Sequence, residues 1–171
     1  FAYIRIGYRG YGDAGNMVVD PYFEQNYKNA RAAGIKVGVY FFSQAITELE
    51  AQQEAEFVLA ALKGRALDLP VMFDPEFVSG VVGRLQAAGL NRDQQTACVV
   101  SFCNTIRANG RTAGLYTNLS WSQTRIDLSR IPNDSFWYAR YVSTEKSKAE
   151  TGRQASFWQY TSSGKINGIS G

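Results

Sequence analysis

Short apolar runs alternate with longer segments of mixed apolar and polar residues along most of this chain. The apolar or β-rich runs cover residues 2–6, 37–42, 71–73, 114–117, 136–141 and 156–160. The longer segments have the spacing of amphipathic helices and cover residues 22–33, 47–62 and 91–109. Strands that alternate with helices predict right-handed βαβ units and a parallel sheet. The strand runs lack period-two alternation, which is typical of parallel strands buried on both faces. A closed barrel and an open doubly wound sheet both fit this α/β pattern.

Local signals place the helix ends. Thr47 and Glu50 have the S/T-x-x-E spacing of a capping box, which predicts that the second helix begins there. Gly34, Gly64 and Gly110 follow the three helical segments, at positions where glycine commonly ends a helix. The chain therefore carries both start and stop signals for its predicted helices.

Composition places the chain among globular domains. It has 171 residues, of which 45% are hydrophobic and 19% charged, and this fits a single domain over residues 1–171. The net charge of +3 is too small for a nucleic-acid surface to be expected, so we expect no nucleic-acid partner. The most apolar stretch, residues 37–42, is too short for a transmembrane helix, so we expect no membrane span.

The chain contains no histidine. This excludes Ser-His-Asp and Cys-His nucleophile systems and zinc sites of the HExxH type. Its two cysteines, Cys98 and Cys103, are too few for a zinc cluster, and their spacing on a predicted helix puts them beyond comfortable disulfide reach. We expect no metal site and no cofactor. Any acid–base chemistry must then be carried out by carboxylates, Tyr, Lys or Arg.

Two acidic residues follow the strand run at residues 71–73. Asp74 and Glu76 are two positions apart, so in an extended chain their side chains point to the same face, about 6–7 Å apart. Ligands of α/β folds bind at the carboxyl ends of parallel strands. Two like charges in a partly dry pocket raise at least one pKa, which suits a general acid beside an anion, as in glycoside hydrolysis. The alternative is a plain acidic turn, which Pro75 favours because proline is common where a strand stops.

Aromatic residues make up 13% of the chain, and six of them lie near predicted strand ends. They are Tyr40, Phe42, Tyr116, Trp137, Tyr141 and Trp158. Tyr and Trp carry a polar tip that suits a cleft, whereas core packing is the better interpretation for Phe41, Phe73 and Phe157. The glycine-rich residues 7–12 lack a phosphate-binding fingerprint, and we interpret them as a loop beside the site.

Taken together, these segments resemble the family-25 glycoside hydrolases, the Chalaropsis-type lysozymes. The resemblance runs in the family's order over nearly the whole chain. The matching segments are YIRIGYRG (3–10), DPYF (20–23), AGIKVGVYFFSQA (33–45), LPVMFDPE (69–76), FCNTI (102–106), GLYTN (114–118), WYARY (137–141), FWQYTSSG (157–164) and GISG (168–171).

The resemblance implies a distorted (β/α) TIM-like barrel that cleaves the β-1,4 bond after N-acetylmuramic acid in peptidoglycan. Glu76 matches the family's proton donor. Asp74 matches the acid that helps to stabilise or orient the substrate at its anomeric side. The family positions that shape the sugar groove are matched here by Tyr40, Tyr116, Trp137 and Gln159. Arg5 is a candidate to hold a carboxylate or another polar group of the substrate.

The family pattern also contains a catalytic-site Asp on an earlier strand and a Val-Asp-x-Asn-like segment near its end, and neither lies within these residues. We therefore expect a barrel that is missing its first strand and its closing segment, in a chain trimmed at both ends. The resemblance implies peptidoglycan glycan strands as the partner and an extracellular or cell-wall location. Wall-binding repeats in the parent chain are compatible with the resemblance, but this sequence does not reveal them.

Several alternatives stay open. A family-18-like chitinase shares the Asp-x-Glu ending, but the two earlier acids of that motif are replaced here by Leu69 and Met72. A non-catalytic glycan-binding barrel would need the aromatic residues and not the acids. A nucleotide-binding protein is disfavoured because the phosphate fingerprint is missing. The mechanism can be retaining, inverting or assisted by the substrate's own N-acetyl group.

Overall fold

The computed structural model of the chain describes residues 1–131, 135–142 and 154–165. The strands are β1 Ala2–Arg9, β2 Met17–Val19, β3 Val37–Ser43, β4 Val71–Pro75, β5 Ala113–Asn118, β6 Ser135–Ala139 and β7 Phe157–Gln159. The helices are α1 Phe23–Ala32, α2 Glu48–Leu62, α3 Arg84–Ala88, α4 Arg92–Ala108 and α5 Leu119–Thr124, followed by a short 3-10 helix, Leu128–Arg130.

The strands form a single mixed sheet in the order β2-β1-β3-β4-β5-β6-β7. Among the strands of the described residues, only β2 runs antiparallel to its neighbour, and the remaining neighbours pair in parallel. The α/β class and the parallel sheet are therefore confirmed. The described sheet is not closed, because β2 and β7 are its edges and no pairing within the described residues joins them. The predicted α/β class is therefore confirmed, whereas the predicted TIM-like barrel is not.

The two faces of the sheet have different neighbours. On the face toward the helices, the ring of Phe41 lies 5.8 Å from that of Phe57 on α2, and the ring of Phe73 lies 4.6 Å from that of Phe102 on α4. The predicted core role of these two strand phenylalanines is confirmed, since both are fully buried. We call the opposite face, which carries the half-buried Tyr40 of β3, the inner face.

The sheet curves strongly around the inner face. The ring of Phe157 on β7 lies 5.1 Å from that of Tyr3 and 5.5 Å from that of Phe1, edge to face in both pairs. Rings at the start of β1, next to the edge strand β2, and on the edge strand β7 therefore meet on the concave side, although β1 and β7 do not pair. Phe157 is half-buried in this aromatic cluster.

Most predicted helix ends are found close to their observed positions. Thr47 caps α2, its hydroxyl accepting from the backbone N–H of Glu50 at 3.2 Å. The second half of the predicted capping box is wrong, because the Glu50 carboxylate accepts from the N–H of Ile46 at 2.8 Å instead. A reciprocal capping box is found at α4, between Asn91 and Gln94, which the sequence reading did not identify.

The prediction of a loop at residues 7–12 is wrong for its first part. Gly7, Tyr8 and Arg9 belong to β1, because they pair with the three-residue strand β2. So short a strand carries no readable pattern, and it therefore gave no sequence signal. Cys98 and Cys103 are both buried on α4, and no disulfide joins them, as their spacing predicted.

In the part of the chain that the structure describes, no helix has the length and apolar character needed to cross a membrane. The matching segment at residues 168–171 lies outside the described residues.

Candidate active site

The register of the parallel strands brings polar and aromatic side chains together on the inner face, near the carboxyl ends of the strands. Arg5 of β1 lies opposite Tyr40 of β3, and Phe42 lies opposite Asp74 of β4. The carboxyl ends of parallel strands meet at one edge of a sheet, where α/β folds place their ligand sites.

Asp74 is the more buried of the two predicted catalytic acids, with 6% of its surface exposed. Burial raises the pKa of Asp74 well above its ordinary value, Glu76 raises it further, and the positive charge of Arg5 opposes both. Its Oδ1 atom is buried and accepts no hydrogen bond from the described residues. The carboxyl group therefore sits in a dry position with one oxygen available.

Glu76 lies just beyond the end of β4 and is half-buried. Burial raises the pKa of Glu76, and a hydrogen bond with the Asn118 side chain opposes this rise. Asn118 ends β5 and caps α5, where its Oδ1 accepts from the backbone N–H of Trp121 at 3.1 Å. With Oδ1 engaged in the cap, the amide NH₂ is the group that faces the Glu76 carboxyl.

Three half-buried aromatic residues form a wall beside the two acids. The ring of Trp137 lies 4.8 Å from that of Tyr116 and 6.1 Å from that of Tyr40, edge to face in both pairs. It also stacks on Tyr3, with ring centroids 4.7 Å apart. Burial and the nearby acids raise the pKa of Tyr40 and of Tyr116, so both phenols keep their protons.

Arg5 is fixed at the other side of the acids. Its Nε donates to Oδ2 of Asp20 at 2.6 Å, and its guanidinium lies 5.6 Å from the centre of the Tyr8 ring. Its side chain is 45% exposed, so charge is available to a ligand. Arg5, Asp20 and Tyr40 also contribute to the lining of a cavity of about 1070 Å³, together with residues of β1 and α1.

Gln159 lies on β7, opposite Ala139, and its Nε2 donates to the hydroxyl of Tyr141 over a long 3.4 Å. Tyr141 in turn contributes to the raised pKa of Tyr116, which places it near the aromatic wall. Gln159 is therefore the most peripheral of the sequence-predicted site residues.

The structure thus gathers Asp74, Glu76, Tyr40, Tyr116, Trp137 and Arg5 on one face, with Gln159 at the margin. Sequence reasoning did not assign a role to Asn118, Asp20 or Gln44. Asn118 had a usable signal, since it ends the next parallel strand after the one that carries the acids. Asp20 and Gln44 contact the site through other side chains or the backbone, and their types alone gave no signal.

Metal coordination gives no further candidate in the described ranges. No group of three or more Cys, Asp and Glu side chains there is close enough together to hold a metal ion.

Comparison with known proteins gives a family and a set of relatives. A family model described as glycosyl hydrolases family 25 matches residues 13–169. The autolytic lysozyme of Clostridium acetobutylicum is 26% identical over 92% of this chain and 44% of its own length. Lysozyme M1 of Streptomyces globisporus is 28% identical over 100% of this chain and 57% of its own length. The chain therefore spans about half the length of these curated relatives.

Among solved structures, the bacterial lysozyme of Streptomyces coelicolor matches the whole chain with a TM-score of 0.78 and 27% identity. The match covers 77% of that protein's chain. A family 25 glycosyl hydrolase of Bacillus anthracis matches 97% of this chain and 70% of its own with a TM-score of 0.74, and at 21% identity it supports the fold.

Proposed function

The chain belongs to family 25 of the glycosyl hydrolases, and from this premise we propose that it is a muramidase. The proposed reaction is hydrolysis of the β-1,4 bond between N-acetylmuramic acid and N-acetylglucosamine in peptidoglycan. The observation that carries the proposal is the pair Asp74 and Glu76, two acids with raised pKa values beside an aromatic wall on one concave face. Relatives named lysozyme support the same substrate class.

We assign Glu76 the role of general acid. It is half-buried, and burial raises the pKa of its carboxyl, which keeps the acid protonated at a higher pH than a solvated glutamate. A protonated carboxyl can donate to the glycosidic oxygen as that bond breaks. Asn118 opposes the rise in pKa, so the acid also releases its proton readily during the reaction.

We assign Asp74 to the developing positive charge at the anomeric carbon. Its buried position and its available Oδ1 suit an electrostatic contact with a bound sugar. Arg5 favours the ionised form of Asp74, which this role needs. The same carboxylate can attack the sugar, activate a water or orient the substrate's N-acetyl group. The stereochemistry of the product distinguishes an inverting from a retaining mechanism.

The aromatic wall and its margin suit a sugar groove. Trp137, Tyr116 and Tyr40 present ring faces and hydroxyls beside the acids, and Gln159 offers an amide at the edge. Arg5 supplies a partly exposed cation at the site and suits the lactyl carboxylate of muramic acid or another polar group.

We also propose that the curved sheet is the larger part of a barrel and that the protein acts on the wall outside the cell membrane. The contact between Tyr3 and Phe157 supports the first point, since rings from β1 and from the edge strand β7 meet on the concave side of the sheet. The lysozyme names of the relatives support the second. A wall-binding repeat elsewhere in the protein stays a prediction.

The test is cleavage of purified bacterial walls, with released muropeptides reduced and identified by mass spectrometry. A muramidase leaves N-acetylmuramic acid at the new reducing ends. Glu76→Gln should lower kcat by about 10²–10⁴-fold, because a positioned general acid contributes this much. Asp74→Asn should also lower kcat strongly.

Glu48→Gln serves as the control, because Glu48 is an exposed acid on α2. It should leave kcat unchanged. Wild-type turnover by Glu76→Gln would remove the acid assignment. A wild-type protein that sediments with walls but releases no fragment would instead be a glycan-binding module.

A further inference from the structure

A buried glutamine lies behind the proposed acid. Gln44 directly follows β3 and has no exposed surface. Its Nε2 donates to two main-chain oxygens at once, that of Ser43 at 3.0 Å and that of Glu76 at 2.7 Å. One side-chain amide therefore joins the end of β3 to the residue that carries the proposed proton donor.

The position of this contact explains why a side chain is needed there. The last register pair between β3 and β4 is Ser43 with Pro75. Proline has no N–H and cannot extend the ladder. The Gln44 amide supplies the next hydrogen bond across the two strands, to the oxygen of Glu76. The main chain of Glu76 is thus held although the regular sheet has ended.

An ion pair holds Gln44 in turn. Arg84 donates from Nη1 to the main-chain oxygen of Gln44 at 2.8 Å, and it forks onto Glu50 with contacts of 2.8 and 2.9 Å. Glu50 also accepts from the backbone N–H of Ile46 at 2.8 Å. The Arg84 side chain is 10% exposed, so water competes weakly with this fork. The segment that follows β3 is thereby fixed at several points.

We propose that Gln44 is a positioning residue for the general acid, held in register by the Arg84–Glu50 pair. The inference deepens the proposed function, because it rests on Glu76 as the proton donor. The contact requires an amide, since Nε2 carries two donors for two carbonyl oxygens. Leucine has no donor, and an ionised glutamate places negative charge against both carbonyl oxygens.

Two variants and one control test this assignment. Gln44→Leu has a similar shape and should lower kcat by about 10- to 100-fold with KM changed little, because a misplaced catalytic group costs rate rather than binding. Gln44→Glu should be similarly impaired at neutral pH. It should regain part of its kcat in acid, where the protonated carboxyl can donate one hydrogen bond to the Glu76 oxygen. Gln53→Glu, an exposed change on α2, should show no such recovery.

The fold of each variant is checked by circular dichroism and thermal unfolding at the assay pH. A folded Gln44→Leu protein with wild-type kcat and a wild-type pH profile overturns the proposal. A Gln44→Glu protein whose kcat, divided by that of wild type, does not change with pH overturns it as well. If neither variant folds, Arg84→Lys decides: it keeps the charge but loses the fork, and unchanged kcat there contradicts the proposal.

A second readout separates this inference from the proposed function. The Glu76 carboxyl is followed by carbon-13 NMR as the pH is changed, which needs no substrate. Gln44→Leu should shift the Glu76 titration relative to wild type, whereas Gln53→Glu should not. An inactive wild-type protein with this shift defeats the muramidase assignment alone, and an active protein without it defeats the role of Gln44 alone.

Discussion

Arg5 controls the charge balance of the site at the scale of a single residue. Its cation opposes the burial and the Glu76 charge that raise the pKa of Asp74. Removal of this charge should raise the pKa of Asp74 further. If Asp74 works ionised, Arg5→Gln therefore moves the acidic limb of the kcat profile to higher pH. The measurement is the initial rate of wall cleavage across pH.

Arg130→Gln is a matched control for Arg5→Gln. Arg130 is 46% exposed and pairs with the carboxylate of Asp93 at 2.8 Å, but it lies on the 3-10 helix and not on the inner face. Its pH profile should overlay that of the wild type. An acidic limb that stays in place in Arg5→Gln would show that Arg5 does not set the ionisation of Asp74.

The two acids could be predicted as a pair because their relation is local. Their two-residue spacing in an extended chain predicts a common face before any other element is placed. Gln44 could not be assigned in this way, because its contact with Glu76 spans 32 residues and depends on how β3 and β4 pair. The same limit applies to Asp20, whose contact with Arg5 spans 15 residues.

At the scale of elements, one helix cap takes part in the site. Asn118 caps α5 with Oδ1 and contacts Glu76 through its amide. Asn118→Asp keeps an oxygen for the cap but replaces the amide donor with a second acid. The pKa of Glu76 should rise, so the basic limb of the kcat profile, where the general acid loses its proton, moves to higher pH.

Asn91→Asp makes the same change at the cap of α4, outside the site. Both variants should unfold at temperatures close to wild type, because both keep the cap acceptor. Only Asn118→Asp should alter the pH profile of wall cleavage. Equal profiles for the two variants would mean that the Asn118 amide has no influence on the acid.

Elements with strong local signals were predictable, and the others depend on their surroundings. The three long helices and most strands carry amphipathic or apolar patterns of sufficient length. The strand β2 has three residues and exists because β1 offers a partner edge. The helices α3 and α5 have five and six residues, too few for a helical period to show.

At the scale of the molecule, the parallel sheet followed from the alternation of strands and helices, whereas its strong curvature did not. That curvature brings Tyr3 of β1 against Phe157 of β7, and no local pattern encodes a contact between residues so far apart in the chain. The buried ion pair between Arg9 and Glu54 is a similar case. It joins residues 45 positions apart, with Nε 2.7 Å from the carboxylate, under the strands that carry the site.

Glu54 should couple the stability of the whole molecule to pH. Burial raises its pKa to about 7, against the opposing effect of Ser43 and Arg9. Its ordinary value is 4.5, so between pH 4.5 and 7 the folded state binds more protons than the unfolded state. The free energy of unfolding therefore falls as pH rises through this window. Arg84 and the thiol of Cys98 also lie within electrostatic reach of Glu54.

Glu54→Gln imitates the protonated acid at every pH. It should match wild type near pH 5 and exceed it near pH 8 by up to about 3 kcal/mol, the equivalent of the shift in pKa. Urea unfolding at several pH values measures the difference, and the raised pKa values of Asp74 and Glu76 cancel because both proteins contain them. Glu56→Gln, an exposed change on the same helix, is the control. Its free energy of unfolding should differ from that of wild type by the same amount at every pH. A difference in free energy of unfolding that is constant with pH for Glu54→Gln as well would contradict the prediction. It would show that Arg9 keeps Glu54 ionised over the whole pH range.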